Sequence, residues 1–278
     1  MIQINKPADP FTKYMRKKAD DQTEDDCVAF DVNPVGYSTP GEHRLMVTVK
    51  KSIYRASGRT KTALIGVIYN GEKKEVGKCY FCESRLPEGG LHIEHYRPKN
   101  GFKQLLGSEE EYPGYYWLTY SWDNLILACY ECNIIKGTIF PLADEDMRVH
   151  SHIERDILHQ EEPLLINPAK LDVNPREHIC FLDDLPISET PEGIATIKLL
   201  KLDYGEESKE RPFLKEERLE LLNSLRIRVD VLNKSDDYVD NEESQKFLAK
   251  TREYLEKAKL PESKFSSMAQ DFLAKLGY

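Results

Sequence analysis

Apolar positions along the chain change their rhythm twice. From Glu206 onward they recur at three- and four-residue intervals: Leu214, Leu221, Leu222, Leu225, Val229 and Leu232 make one stripe, and Phe247–Leu255 and Phe265–Leu276 repeat it more briefly. That spacing gathers apolar side chains on one helical face, so the C-terminal end is predicted to be mainly helical, its stripes serving internal packing or the docking of a partner. Residues 1–75 are mixed. A short helix is expected to begin over Thr12–Lys18, the acidic patch Asp20–Asp26 reads as solvated, and the β-rich run Leu45–Val49 predicts a strand. The run Thr62–Tyr69 fits a strand or a buried helix equally well, and Asn70-Gly71 marks a turn after it. Between residues 163 and 204, Ile179–Leu182 and Ile194–Leu199 are strand-like and predict a hairpin or small sheet. The divisions are 1–75, 76–145 and 146–278.

The middle segment is more definite. After a turn at Pro87-Glu88-Gly89-Gly90, Leu91–His95 reads as a short strand, with His92 and Glu94 on one face and His95 on the other. A bend just before Arg97-Pro98 would let Glu94 and His95 line one pocket. From Cys129 the spacing suits a helix: Cys129, Cys132, Asn133 and Lys136 share a face, and Gly137 ends it. The aromatic group Tyr112, Tyr115, Tyr116, Trp117, Tyr120 and Trp122 reads as core, with base stacking as its alternative. His150, His152 and His159 read as surface or packing residues.

Composition narrows the choice. The 278 residues are 40% hydrophobic and 31% charged, as in a soluble globular protein, with no run long enough for a bilayer span and no signal-peptide core at the start. A cytoplasmic setting is expected. There, two Cys-x-x-Cys pairs, Cys79/Cys82 and Cys129/Cys132, favour a structural zinc over disulfides, and Cys27 and Cys180 are left as buried or idle thiols. The net charge of −9 argues against a free-standing nucleic-acid binder. Either the basic surface is local or a partner supplies the grip. Arg97, Lys99 and Lys103 against Glu94 form a small footprint, which favours a partner.

Zinc alone has no need of Glu94, His95, Asn124 and Asn133. Glu94 and Asn133 offer oxygen, which suits magnesium or manganese. His95 has the ordinary pKa range of a general base, and Asn124 could fix its tautomer from the other ring nitrogen. Together they suit metal-assisted hydrolysis of a phosphodiester. Lys136 or Arg97 could hold a neighbouring phosphate, with Lys99 as a further substrate contact; His92 reads as structural, with an auxiliary ligand or phosphate contact as its alternative.

Glu94-His95, Asn124 in Asp-Asn-Leu and Asn133 in Cys-Asn-x-x-Lys-Gly resemble the HNH endonuclease motif, and the paired cysteines resemble the zinc-braced branch of that family. The resemblance covers roughly residues 75–145. It implies an α+β fold with a ββα-metal, treble-clef-like core braced by a four-cysteine zinc site. By position, Glu94 and Asn133 would hold the catalytic metal, His95 would be the base and Asn124 the residue that orients it. A looser similarity over Ile-x-Ile-x-Lys-Pro, His92–Lys99, Tyr116–Leu118, Ser121–Leu125, Phe140–Leu142 and Glu162–Pro168 extends to PtuB-type HNH proteins of Septu and retron-linked antiphage systems. It implies a defence nuclease beside a PtuA-like ATPase partner, with DNA favoured as substrate and RNA such as tRNA as the alternative. The rival reading is an inactive zinc-ribbon adaptor that binds nucleic acid or the ATPase. Two features depart from the family: Glu94 stands where aspartate is frequent, and 28 residues separate His95 from Asn124.

Overall fold

A strand pair followed at once by a helix lies at the centre of the molecule. The computed structural model describes residues 1–41, 44–55, 58–69, 71–206, 209–235, 238 and 241–278. The Oγ1 of Thr12 accepts from the Met15 N–H and starts helix α1 (Lys13–Val32), satisfying one of the amides that a helix start leaves open. This helix continues far past the short start expected, straight through the acidic patch. Its inner face is Ala19, Gln22, Asp26 and Phe30, so Asp26 is buried where the sequence suggested solvent. Asn33 then caps α2 (Pro34–Ser38), with proline at its first position.

Leu45–Val49 is not a strand. Among the described residues the segment joins no β-ladder, its Leu45 N–H donating instead to the Gly36 carbonyl at 2.9 Å; Leu45 and Met46 are exposed, and Val47 alone among its hydrophobic residues is buried. Helices α3 (Lys51–Arg55) and α4 (Arg59–Ile65) follow. The ambiguous run resolves into both candidates, because α4 passes directly into strand β1 (Gly66–Tyr69). That strand pairs antiparallel with β2 (Glu72–Glu75). Of the expected turn, Asn70 lies outside the described residues, and Gly71 has a φ of +77° that glycine adopts readily.

Strand β3 (Leu91–His95) has the bounds expected and pairs antiparallel with β4 (Leu125–Cys129), His95 opposite Leu125. All five β4 residues are buried, which accounts for an apolar run without alternation. Helix α5 (Tyr130–Lys136) starts with no intervening residue. Cys129 ends β4 and also caps α5, its Sγ accepting from the Cys132 N–H at 3.4 Å, and Gly137 with a φ of +49° stops the helix.

Short 3-10 turns over Glu145–Met147 and His152–Gln160 lead to α6 (Pro175–His178) and the hairpin β5 (Cys180–Leu182) and β6 (Leu185–Ile187). Ile194–Leu199, expected as the second strand, instead lies within α7 (Pro191–Leu200). Thr190 caps that helix and Pro191 occupies its first turn, and this start signal overrides the β-branched residues. The C-terminal region is helical as expected: α8 (Pro212–Asn233), α9 (Glu242–Lys259) and α10 (Ser266–Lys275). All six residues of the long stripe are buried, so it serves packing and is closed to a docking partner. One apolar cluster runs from Ile2 and Leu64 through Phe81 and Leu127 to Leu225 and Leu273. A buried polar clasp adds to it. Glu83, at φ +65°, accepts from Lys78 at 2.8 Å, Ser266 at 3.0 Å and the Ser267 amide at 3.2 Å. The start of α10 is thereby fixed to the loop carrying the first cysteine pair.

Candidate functional site

The Sγ atoms of Cys79, Cys82, Cys129 and Cys132 lie within 4.8 Å of one another, and all four residues are buried. Cys82 and Cys129 Sγ are 3.8 Å apart, the edge of a tetrahedron whose centre is about 2.3 Å from each sulfur. The four thiols can therefore hold one metal ion such as zinc. The first pair sits in a tight loop in which the Cys79 N–H donates to the Ser84 carbonyl and the Glu83 N–H to the Cys79 carbonyl. The Tyr80 N–H donates to the Leu127 carbonyl at 2.9 Å and locks this loop to β4.

Arg211, which the sequence reading missed, closes the cluster. It is 1% exposed. Its Nη1 lies 3.4 Å from Cys132 Sγ and 3.1 Å from the Leu200 carbonyl, and its Nη2 lies 3.0 Å from Glu131 Oε2. Four thiolates around a divalent ion leave two negative charges, and this guanidinium offsets part of them in a low-dielectric setting. No local signal marks Arg211, which lies far along the chain from the cysteines.

Glu94, His95 and Asn133 line a single cleft of about 520 Å³, together with His92 and Lys99. His95 ends β3 and is 4% exposed. Its Nε2 lies 3.0 Å from the Thr119 carbonyl. A carbonyl only accepts, so Nε2 carries the proton and Nδ1 is left as the acceptor. Burial, reinforced by Lys99, holds the imidazole pKa down to about 3, so the ring is neutral. The Tyr54 ring meets it edge-on at 5.4 Å.

Asn124 does not touch His95, contrary to expectation. Its Oδ1 accepts from the Arg97 N–H at 2.7 Å, while Nδ2 donates to the carbonyls of Arg97 at 3.0 Å and Leu118 at 3.2 Å. A two-sided amide suits this work of closing the bend after β3. By fixing Leu118, it also steadies the neighbouring Thr119 carbonyl, which holds the imidazole in its place.

Two of the suggested phosphate contacts are committed elsewhere. The Lys136 ammonium is fully buried and donates to Glu94 Oε1 at 2.8 Å and the His95 carbonyl at 2.9 Å. It ties the last turn of α5 to the end of β3. Arg97 Nε donates to the buried Glu161 at 2.9 Å, and its guanidinium packs 5.3 Å from the Phe140 ring and 5.7 Å from Tyr115. Lys99 and His92 do face the cleft. Burial pulls the Lys99 pKa below the usual lysine range against the pull of Glu94, and the His92 ring lies 5.9 Å from that of Tyr130. Of the aromatic group, Tyr115, Tyr116, Trp117 and Tyr120 are core residues.

Lys51, Arg55 and Lys61, from α3 and α4, also line the cleft. The sequence does carry a signal for them, since residues 49–61 hold five cations and no carboxylate. Basic residues thus line the cleft despite the overall charge of −9.

The chain is thus a cysteine-braced strand–strand–helix protein with a basic-walled polar cleft and a four-cysteine cluster that can hold a metal ion. No protein-family profile matches it, and no solved structure does. Among curated proteins it is homologous to Septu protein PtuB of Bacillus mycoides (strain KBAB4), 38% identical over 141 residues, 49% of this chain and 46% of that protein. It is also similar to Septu protein PtuA of the same organism, 30% identical over 130 residues, 46% of this chain and 18% of that protein. Each match therefore spans less than half of the relative's own length. Among the described residues no helix is long and apolar enough to cross a membrane.

Proposed function

We propose that this protein is a cytoplasmic, metal-dependent HNH-type endonuclease that hydrolyses phosphodiester bonds, with DNA as first substrate, in a Septu-type antiphage complex with a PtuA-type partner. One observation carries the reading: a carboxylate, a neutral imidazole and an amide share one cleft on a β3–β4–α5 unit braced by four cysteines. Similarity to two Septu proteins supports the defence setting.

In this reading the cysteines hold zinc as a structural ion. Lys136 donates to Glu94 Oε1, so Glu94 Oε2 and the Asn133 amide oxygen are the atoms that would hold magnesium or manganese. Bound there, the ion supplies charge neutralisation on the phosphate and the departing oxygen. His95 Nδ1 takes the proton from the attacking water, and the Thr119 carbonyl at Nε2 stabilises the cation that results. Burial weakens this base in the free protein. The charge of a phosphate entering the cleft raises its basicity again. Asn124 acts at one remove, through the bend and Thr119.

The test is purified protein, alone and with a PtuA-type partner, incubated with DNA and with RNA in magnesium. His95→Ala should lower cutting by about 10²-fold or more, and Asn133→Ala should also abolish it, both with the cysteine-bound metal retained. Undiminished cutting by His95→Ala would remove His95 as the base.

A further inference from the structure

Helix α3 places Lys51 and Arg55 one turn apart, and both line the cleft together with Glu94 and Asn133. Like charges at this spacing destabilise a helix by about 0.2–0.5 kcal/mol, and residues 49–61 contain no carboxylate to offset it. Neither side chain has an ion-pair partner among the described residues. Lys61 joins them from α4; its ammonium donates to the Glu88 carbonyl, which binds the group and leaves its charge in place. Lys99 contributes a fourth cation from beyond β3. Among the described residues the one carboxylate lining the cleft, Glu94, is already paired with Lys136. A cleft so lined is complete only when an anion enters it.

The arm is also held in position. Tyr54, between Lys51 and Arg55, is buried against Ala19 of α1, Tyr120 and Leu125, and its ring edge meets His95. Tyr120 accepts the Lys50 N–H at 3.0 Å, just before α3 begins. The backbone that carries the two cations is therefore anchored beside the imidazole.

We infer that α3–α4 is a phosphate-binding arm: Lys51 and Arg55, with Lys61, hold backbone phosphates of a nucleic-acid strand beside the one facing His95. The position of the reacting phosphate rests on the nuclease reading; the grip on the backbone does not. Backbone contacts carry no sequence information, so the arm binds all sequences alike.

The experiment is equilibrium binding of a fluorescent 20-mer duplex and its single strand to the full chain carrying His95→Ala, across a salt series. Adding Lys51→Ala and Arg55→Ala should weaken binding about tenfold or more and flatten the log–log salt slope by about 1 to 2. The change should be equal for unrelated sequences, and the charge-keeping pair Lys51→Arg and Arg55→Lys should retain binding. Unchanged affinity and slope in the double alanine variant, with an unchanged melting curve, would overturn the arm, as would absence of binding by the parent at low salt. A parent with native His95 that binds through these residues and cuts nothing would refute the nuclease reading and leave the arm standing.

Discussion

Helix α5 serves two sites built on opposite rules. At its N-terminal end the groups are closed upon one another: four thiols face a common centre, Arg211 bridges Cys132, Glu131 and Leu200, and the neighbouring Glu83 has Lys78, Ser266 and Ser267 around it. On the cleft side capacity is left open. Asn133 makes no side-chain hydrogen bond among the described residues, and Lys51, Arg55 and Lys99 lack ion-pair partners there. Buried atoms without partners lie behind that wall, at Gln22 Oε1, Asp26 Oδ2 and Thr60 Oγ1, and elsewhere too, as at Tyr69 Oη and Arg218 Nε. Buried polar groups are normally satisfied; the cysteine side is closed upon itself, whereas the cleft side holds positioned groups that still have bonds to make.

The hardest way to break this contrast is to open the closed side. Cys129→Ser keeps a side chain able to cap α5 but removes one metal ligand, and metal binding in such four-ligand sites is worth on the order of 10 kcal/mol of folding energy. We expect metal content to fall below one ion per chain, the cooperative melt to be lost and the cleft to be lost with it. A folded, fully active Cys129→Ser protein would show that the two sites do not depend on each other.

Lys136 lies between the two and gives a smaller effect. Lys136→Met leaves Glu94 without its cation in a mostly buried setting, where breaking a pair costs about 3 kcal/mol. Denaturant melts should show that loss with the cysteine-bound metal still present. Adding Glu94→Gln should recover part of the stability, because the stranded charge has gone, and on the proposed nuclease reading it restores no cutting. Equal stability of Lys136→Met and the parent would mean that this pair does not hold the end of α5 to β3.

Much of this arrangement was legible from the residues alone wherever the signal is local. The cysteine pairs, the bounds of β3 and the stop at Gly137 each depend on neighbours within a turn or two. Arg97 and Lys136 misled because a positive charge in sequence does not reveal a buried carboxylate waiting elsewhere, Glu161 for one and Glu94 for the other. Thr119 was invisible because it acts through a carbonyl that every residue has. Helix α1 was underestimated because two of its inward residues are Gln22 and Asp26, which periodicity counts as surface.

Asp26 therefore offers the finest test of the contrast, since α1 packs against α3 behind the basic wall. It is 6% exposed, and its Oδ1 accepts from Gln22 Nε2 at 2.8 Å while Oδ2 has no partner. Burial raises its pKa from 3.8 to about 6, with the Gln22 hydrogen bond opposing. Because the folded value lies above the unfolded one, the folded chain binds this proton more tightly. Stability is then fullest below about pH 4 and declines as pH rises to about 6, by roughly 3 kcal/mol at most for a shift of this size. Asparagine has no proton to lose. Asp26→Asn should raise stability at pH 7.5 by about 1–2 kcal/mol, less than the full amount because the new amide also lacks a partner, and relative to the parent that gain should vanish at pH 4. Denaturant melts at both pH values decide it: the same change at each would mean that the carboxylate is already satisfied, and the cleft side would no longer differ from the closed side at this residue.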